Sequence, residues 1–266
     1  MEKGGFTYVG RKGGAEHSRR RRATHKTRDA RLRSTPPLDE SAKADDGQAN
    51  PPQLAVLHER VERAVAELRP SDILARLLDA IRSAPATEPA RLLSCFGIAS
   101  FAHEPAARYQ VALSLLLHES LSGAAMPLPF DSYDPVFSRL ERSLLESRSC
   151  RVPDRNEEGR RLAEATCLFC MPHRGRQLYA NRLRANWSSS GLARLLIVGN
   201  SLVEYADAMG SVERALGGPI ARAATVVTER ALGEAASSGS GAYANAFCSL
   251  SLHVFEQSRL PGRADA

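Results

Sequence analysis

The sequence predicts an α/β fold: a Rossmann-like, three-layer domain with a mostly parallel sheet, preceded by a helical pair and a disordered basic N-terminal tail. Three observations predict it. Short apolar runs of strand length at residues 92–98, 166–171 and 195–199 are separated by segments of helical period. Strands alternating with helices build βαβ units, and such sheets are covered on both faces. The 266 residues, 43% hydrophobic and 25% charged, suffice for a sizeable core.

Residues 1–50 are rich in Gly, Arg, Ser, Thr, Pro and Asp, with few aliphatics, and read as a disordered basic tail. From Pro51 a helical period sets in, with Leu54, Leu57, Val61, Val65 and Leu68 on one face until Pro70 breaks the helix. Ser71 or Asp72 can cap a second helix, whose stripe is Ile73, Leu74, Leu77, Leu78 and Ile81. This prefix, residues 51–89, packs on the body or on a partner.

The α/β domain spans residues 90–256. Strand 92–98 leads through a turn into a helix from Pro105 to about residue 119, apolar nearly all round and so buried. Arg108, in that helix, is expected to pair with Asp134 or Glu104, since buried polar groups need partners. Next come a strand at 128–133, a helix at 137–146, a short strand at 149–152, a strand at 166–171 and a helix at 174–186. Strand 195–199 follows, Ser201 opens the next helix, and residues 211–233 carry another. Residues 234–243 are rich in Gly, Ser and Ala and read as flexible. Residues 247–255 alternate polar and apolar side chains, which predicts a half-buried edge strand. Residues 257–266 read as a second tail.

The net charge of +6 is uneven. Residues 1–35 hold eleven basic and three acidic residues, so residues 36–266 carry a net −2. A body near neutrality has no strong field for nucleic acid, which leaves the tail at most weak contacts. The run Arg19–Arg22 reads as a nuclear-import signal or a solvated tail. The four lysines stand at 3, 12, 26 and 43. Their absence from the body excludes Schiff-base, pyridoxal and P-loop chemistry there. Five cysteines without framework spacing and no secretory leader point to free thiols in a reducing compartment, cytoplasmic and nuclear. No run approaches 18 apolar residues, so no membrane span is expected.

Ligands of open α/β sheets bind beyond the carboxyl ends of the strands. The candidate ligand-binding residues cluster there: Gly97, Ser100 and His103 after the first strand, Tyr133 and Asp134 after the second, His173 after the fourth and Asn200 at the end of the fifth. A strand, a glycine turn and a helix N-terminus can hold an anion. Asp134 can accept from ribose hydroxyls or cap a helix, and Asn200 can read a polar edge or cap the next helix. His173 can serve as acid/base, metal ligand or axial heme ligand, or be structural. The spacing Cys167-x-x-Cys170-x-x-His173 does not make a zinc site, because an odd separation puts the two cysteines on opposite strand faces.

The blocks CFGIASFAHEPAARYQVALSLLL (95–117), YDPVFSRLE (133–141), LFCMPHRGRQLYANRLRANW (168–187) and IVGNSLVEY (197–205) resemble the signature blocks of the SRR-like family, named for sensitivity to red light reduced. FCSLSLHVF (247–255) resembles its closing strand. The chain departs from the family pattern at Ala99, where a second glycine is usual, and at Arg174, where a cysteine is common. The resemblance implies a regulatory protein acting in circadian clock gene expression and in the regulation of heme biosynthesis, with protein partners and no settled reaction. Heme or a nucleotide is then the candidate ligand of the strand-end cluster. Two other classes stay open: a nucleotide- or S-adenosylmethionine-dependent transferase, and a protein-interaction module docking through the 54–81 helices.

Overall fold

The computed structural model describes residues 50–85, 88–123, 126–172, 175–232 and 241–260, with only the backbone given at 213, 215 and 257. The predicted basic tail through residue 49, the segment 233–240 and the end 261–266 lie outside the described residues, as do His173 and Arg174.

Helix α1 (Pro51–Leu68) begins with prolines at its first positions, where a missing N–H costs nothing. Helix α2 (Asp72–Arg82) is capped by Ser71, whose Oγ accepts from Leu74 N at 3.5 Å. The predicted stripes are buried: Leu57, Val61, Leu68, Ile73 and Leu77 join the same core as the first strand and the next helix. Each such side chain contributes roughly 1.5–3 kcal/mol on burial. Arg69 grips Glu119 through two hydrogen bonds of 2.7 and 2.8 Å, and the Tyr109 hydroxyl donates to Glu67 at 2.6 Å. The pair thus packs on the body.

Strand β1 (Leu92–Phe96) is followed by α3 (Pro105–Leu121), β2 (Phe130–Tyr133) and α4 (Arg139–Ser147). Then come β3 (Cys167–Met171), α5 (Arg176–Ala185), α6 (Ser189–Leu192) and β4 (Leu195–Asn200). The chain continues through α7 (Leu202–Asp207), α8 (Ser211–Ala215), α9 (Pro219–Val226), β5 (Thr228–Ala231), α10 (Ala242–Phe247) and β6 (Leu250–Val254). The predicted strand 149–152 reduces to a single bridge between Asp131 and Arg151. The predicted helix 211–233 is two short helices and strand β5, because Gly217 and Gly218 break the run and Pro219 starts a new helix.

The six strands lie in the order β2-β1-β3-β4-β6-β5. The sheet is mixed, which corrects the mostly parallel expectation: the pairings from β2 to β4 are parallel, and β6 runs antiparallel to both β4 and β5. Strand β6 is interior and fully buried, not a half-buried edge. Its alternating polar side chains do not face water. Ser251 and His253 are buried, with His253 Nδ1 at 2.9 Å from Ile197 O and Nε2 at 3.4 Å from the Glu229 carboxylate of β5.

Two cores flank the sheet. One holds Leu93, Cys95, Cys170 and Val198 under α1–α4 and α10; the other holds Phe96, Cys167, Phe169 and Ile197 under α5, α7 and α9. Cys167 and Cys170 therefore face opposite sides, as their spacing predicts. Among the described residues no cluster of three or more His, Cys, Asp or Glu could hold a metal ion, and no helix is long and apolar enough to cross a membrane.

Candidate functional site

The chain leaves the sheet in two directions. After β1 and β2 it passes to α3 and α4 on one face; after β3 and β4 it passes to α5 and α7 on the other. Strands β1 and β3 are neighbours, so the loops leaving them diverge to opposite faces of the sheet, and the topology puts a candidate crevice between residues 97–99 and the end of β3. A crevice of this kind is where open α/β sheets bind ligands.

The β1–α3 turn is held by carboxylates of the protein itself. Gly97 has φ 72°, and Ala99 has φ 71°, a left-handed conformation that favours glycine. Asp134 accepts from Ala99 N at 2.8 Å and from Val136 N at 3.1 Å. Glu141, fully buried, accepts from Ser100 Oγ (2.9 Å), Ala102 N (2.8 Å), Ser138 N (2.8 Å) and Ser138 Oγ (2.9 Å). Glu141 also completes a capping box at the start of α4. The amides of Ala99 and Ala102 are thus occupied from within. Arg108 does not pair with Asp134 or Glu104; it donates to the carbonyls of Phe101 and Ala102 at 2.9 and 3.3 Å, because it sits one turn into α3 under the end of the loop.

On the far side of the crevice, the Tyr179 hydroxyl ties two strand ends together. It donates to Met171 O at 2.5 Å and accepts from Asn200 N at 2.8 Å. Gly199 is required beside it, since a Cβ there would lie 2.1 Å from the tyrosine oxygen. The Asn200 amide donates to Tyr205 Oη at 2.9 Å, while Ser201 caps α7 by accepting from Glu204 N at 2.9 Å. Tyr133 ends β2 buried, and its hydroxyl makes no hydrogen bond among the described residues. His103 is exposed at the mouth. Strand pairing and loop placement bring Gly97, Ser100, Tyr133, Asp134 and Asn200 to one end of the sheet; His173 lies outside the described residues.

Below the crevice a buried polar network joins β1, β2 and the long connection before β3. Asp131 accepts from Ser94, from Arg161 at 2.5 Å and from Arg151 at 2.9 Å. The Arg161 carbonyl accepts from Arg182 Nη1 at 2.7 Å and Asn186 Nδ2 at 3.0 Å. Arg182 stacks 3.8 Å from the Phe169 ring centroid, with Nε and Nη2 unpartnered. Burial, reinforced by Arg161, lowers its pKa to about 9. Burial likewise pushes the Cys95, Cys150 and Cys167 thiols up, away from nucleophilic use.

Sequence reading missed Glu141 and Tyr179. Ser138-x-x-Glu141 is a capping-box signature and was open to detection. Tyr179 carried no such signal, because its partners lie eight residues back and on another strand.

The fold defines a class: an α/β protein whose six-stranded mixed sheet is covered by helices on both faces. A model of the SRR1 domain matches residues 57–254, and the chain belongs to that family. The chain is 29% identical over 174 residues to Protein SENSITIVITY TO RED LIGHT REDUCED 1 of Arabidopsis thaliana, covering 62% of each chain. It is 42% identical over 111 residues to the SRR1-like protein of Mus musculus, covering 40% of this chain and 43% of the mouse protein. The SRR1-like protein of Drosophila melanogaster is 25% identical over 210 residues, 77% of this chain and 71% of its own. The chain therefore spans less than two thirds of the plant and mouse relatives. No solved structure matches it.

Proposed function

We propose that this chain is a regulatory protein acting in circadian clock gene expression and in the regulation of heme biosynthesis, through a small molecule bound at the carboxyl ends of β1–β4. The observation that carries the ligand reading is the divergence of the loops after neighbouring strands β1 and β3. The Tyr133 hydroxyl, without a hydrogen bond among the described residues, and the exposed His103 imidazole support it. The process is what the family resemblance implies.

Heme is the ligand to test first. The Ala99 and Ala102 amides, which a phosphate would need, already bind Asp134 and Glu141, and this weighs against nucleotides and S-adenosylmethionine. Imidazoles at His103 and His173 are the candidate iron ligands. Titrating the protein with hemin is expected to give a saturable Soret band that shifts in His173→Ala or His103→Ala. A band that rises without saturation, or that ignores both substitutions, removes heme. Calorimetry with ATP and with S-adenosylmethionine reads the rival ligands directly. Cytoplasmic and nuclear residence is proposed from Arg19–Arg22; a fluorescent fusion with these four arginines changed to alanine should lose its nuclear fraction.

A further inference from the structure

The outer surface of the layer that covers Phe169 and Ile197 carries a groove of about 770 Å³ between α7, α9, the end of α5 and the 258–260 turn. It shares no residue with the strand-end crevice. Its lining includes the apolar Trp187, Val203, Val226 and Leu260. Three arginines also line it, against one carboxylate, Asp207.

Those arginines are held in different ways. Arg214 leans on Asp207, donating to its carbonyl at 2.9 Å. Arg222 lies over the Trp187 ring, its Cζ 4.3 Å from the centroid, with no ion pair among the described residues. Arg259 is braced by the Val227 carbonyl and the Thr228 hydroxyl at 3.2 and 2.9 Å, and it forms no ion pair among the described residues; the Thr228 hydroxyl in turn donates to Glu256 at 2.7 Å. Among the described residues neither Arg222 nor Arg259 forms an ion pair beside this apolar floor, and the Glu256 carboxylate meets Arg259 only through the Thr228 hydroxyl.

The neighbouring surface is apolar as well. Val203 is 41% exposed, Val212 73% and Leu216 81%. Three of the seven large exposed apolar side chains among the described residues thus fall within the short stretch 203–216. Exposed apolar groups gathered beside a groove mark an interaction surface.

We propose that this groove docks an acidic amphipathic helix of a partner protein, whose apolar side chains, recurring every three or four residues, lie on Trp187, Val203 and Val226 while its flanking carboxylates pair with Arg222 and Arg259. The groove lies between helices, which suits a helix laid in it, and its two arginines without an ion pair among the described residues select an acidic one. The proposal stands apart from the strand-end ligand: it concerns another face and needs no small molecule.

The test uses the full chain and a fluorescein-labelled designed helix with leucines on one face and glutamates on its flanks, followed by anisotropy. Binding is expected to saturate and to weaken about tenfold or more in Arg222→Glu/Arg259→Glu, a loss of the size that removal of paired interfacial charges produces. A probe with lysines in place of glutamates should bind the wild type poorly and the charge-reversed variant better. Arg76→Glu, at an exposed position of α2, controls for general charge, and replacing the probe's leucines with alanine should also weaken binding. The proposal is overturned if Arg76→Glu costs as much as the groove reversal, which would make the binding a general charge effect. It is equally overturned if leucine removal has no effect, or if sedimentation shows a dimer that Val203→Glu dissociates, which would give the groove to a second copy.

Discussion

At Glu229, burial and bonding pull in opposite directions. Burial raises the carboxyl pKa, but hydrogen bonds from His253, Ser201 and Ser251, with the His253 charge, lower it from 4.5 to about 2. A carboxylate whose folded pKa lies below its unfolded one adds stability above the ordinary carboxylate range, and that stability is lost as pH falls. Denaturant unfolding should therefore show wild type losing up to about 3 kcal/mol from this group between pH 4.5 and 2, with the slope flattened in Glu229→Gln. Arg182 poses the reverse case, a buried cation with Nε and Nη2 unpartnered. Replacing a poorly compensated buried charge by an apolar side chain of similar volume is often stabilising. Arg182→Met should raise the stability by about 1 kcal/mol in urea unfolding. A loss of about 2 kcal/mol or more would mean that water or an ion completes the guanidinium in solution.

The β1–α3 turn is one element whose parts can be separated. Ala99 sits at φ 71°, so Ala99→Gly should stabilise by about 1 kcal/mol, read as a raised thermal midpoint. Glu141 binds four donors, two from this turn and two from the cap of α4. Glu141→Ala leaves the part-buried Ala102 amide and the cap unpaired together, and it should cost about 3 kcal/mol in chemical denaturation. Ser138→Ala removes mainly the cap and should cost about 1 kcal/mol. Such elements were legible in the sequence to different depths. Periodicity located α1–α3 and the strands β1, β3 and β4, because their apolar residues repeat at the helix or strand period. It misread β6, because Ser251 and His253 copy the polar rhythm of an exposed face while being satisfied from inside. It merged α8, α9 and β5, because each is too short to carry a period of its own.

Over the whole molecule, charge and fold occupy different parts of the chain. Residues 1–35 carry a net +8 and residues 36–266 a net −2. Removing residues 1–35 should shift elution from a heparin column to much lower salt, because retention follows the number of basic contacts. Unchanged elution would place a basic surface on the body. The family, the α/β class and the placement of Gly97, Tyr133, Asp134 and Asn200 at strand ends were determined by the sequence alone, since blocks of identity and hydrophobic period are properties of the chain order. The direction of β6, the filling of the 97–102 turn by Asp134 and Glu141, and the Tyr179 clamp on β3 and β4 were decided only by the tertiary structure. These depend on which groups meet across 35 or more positions or across strands, and no local pattern records that.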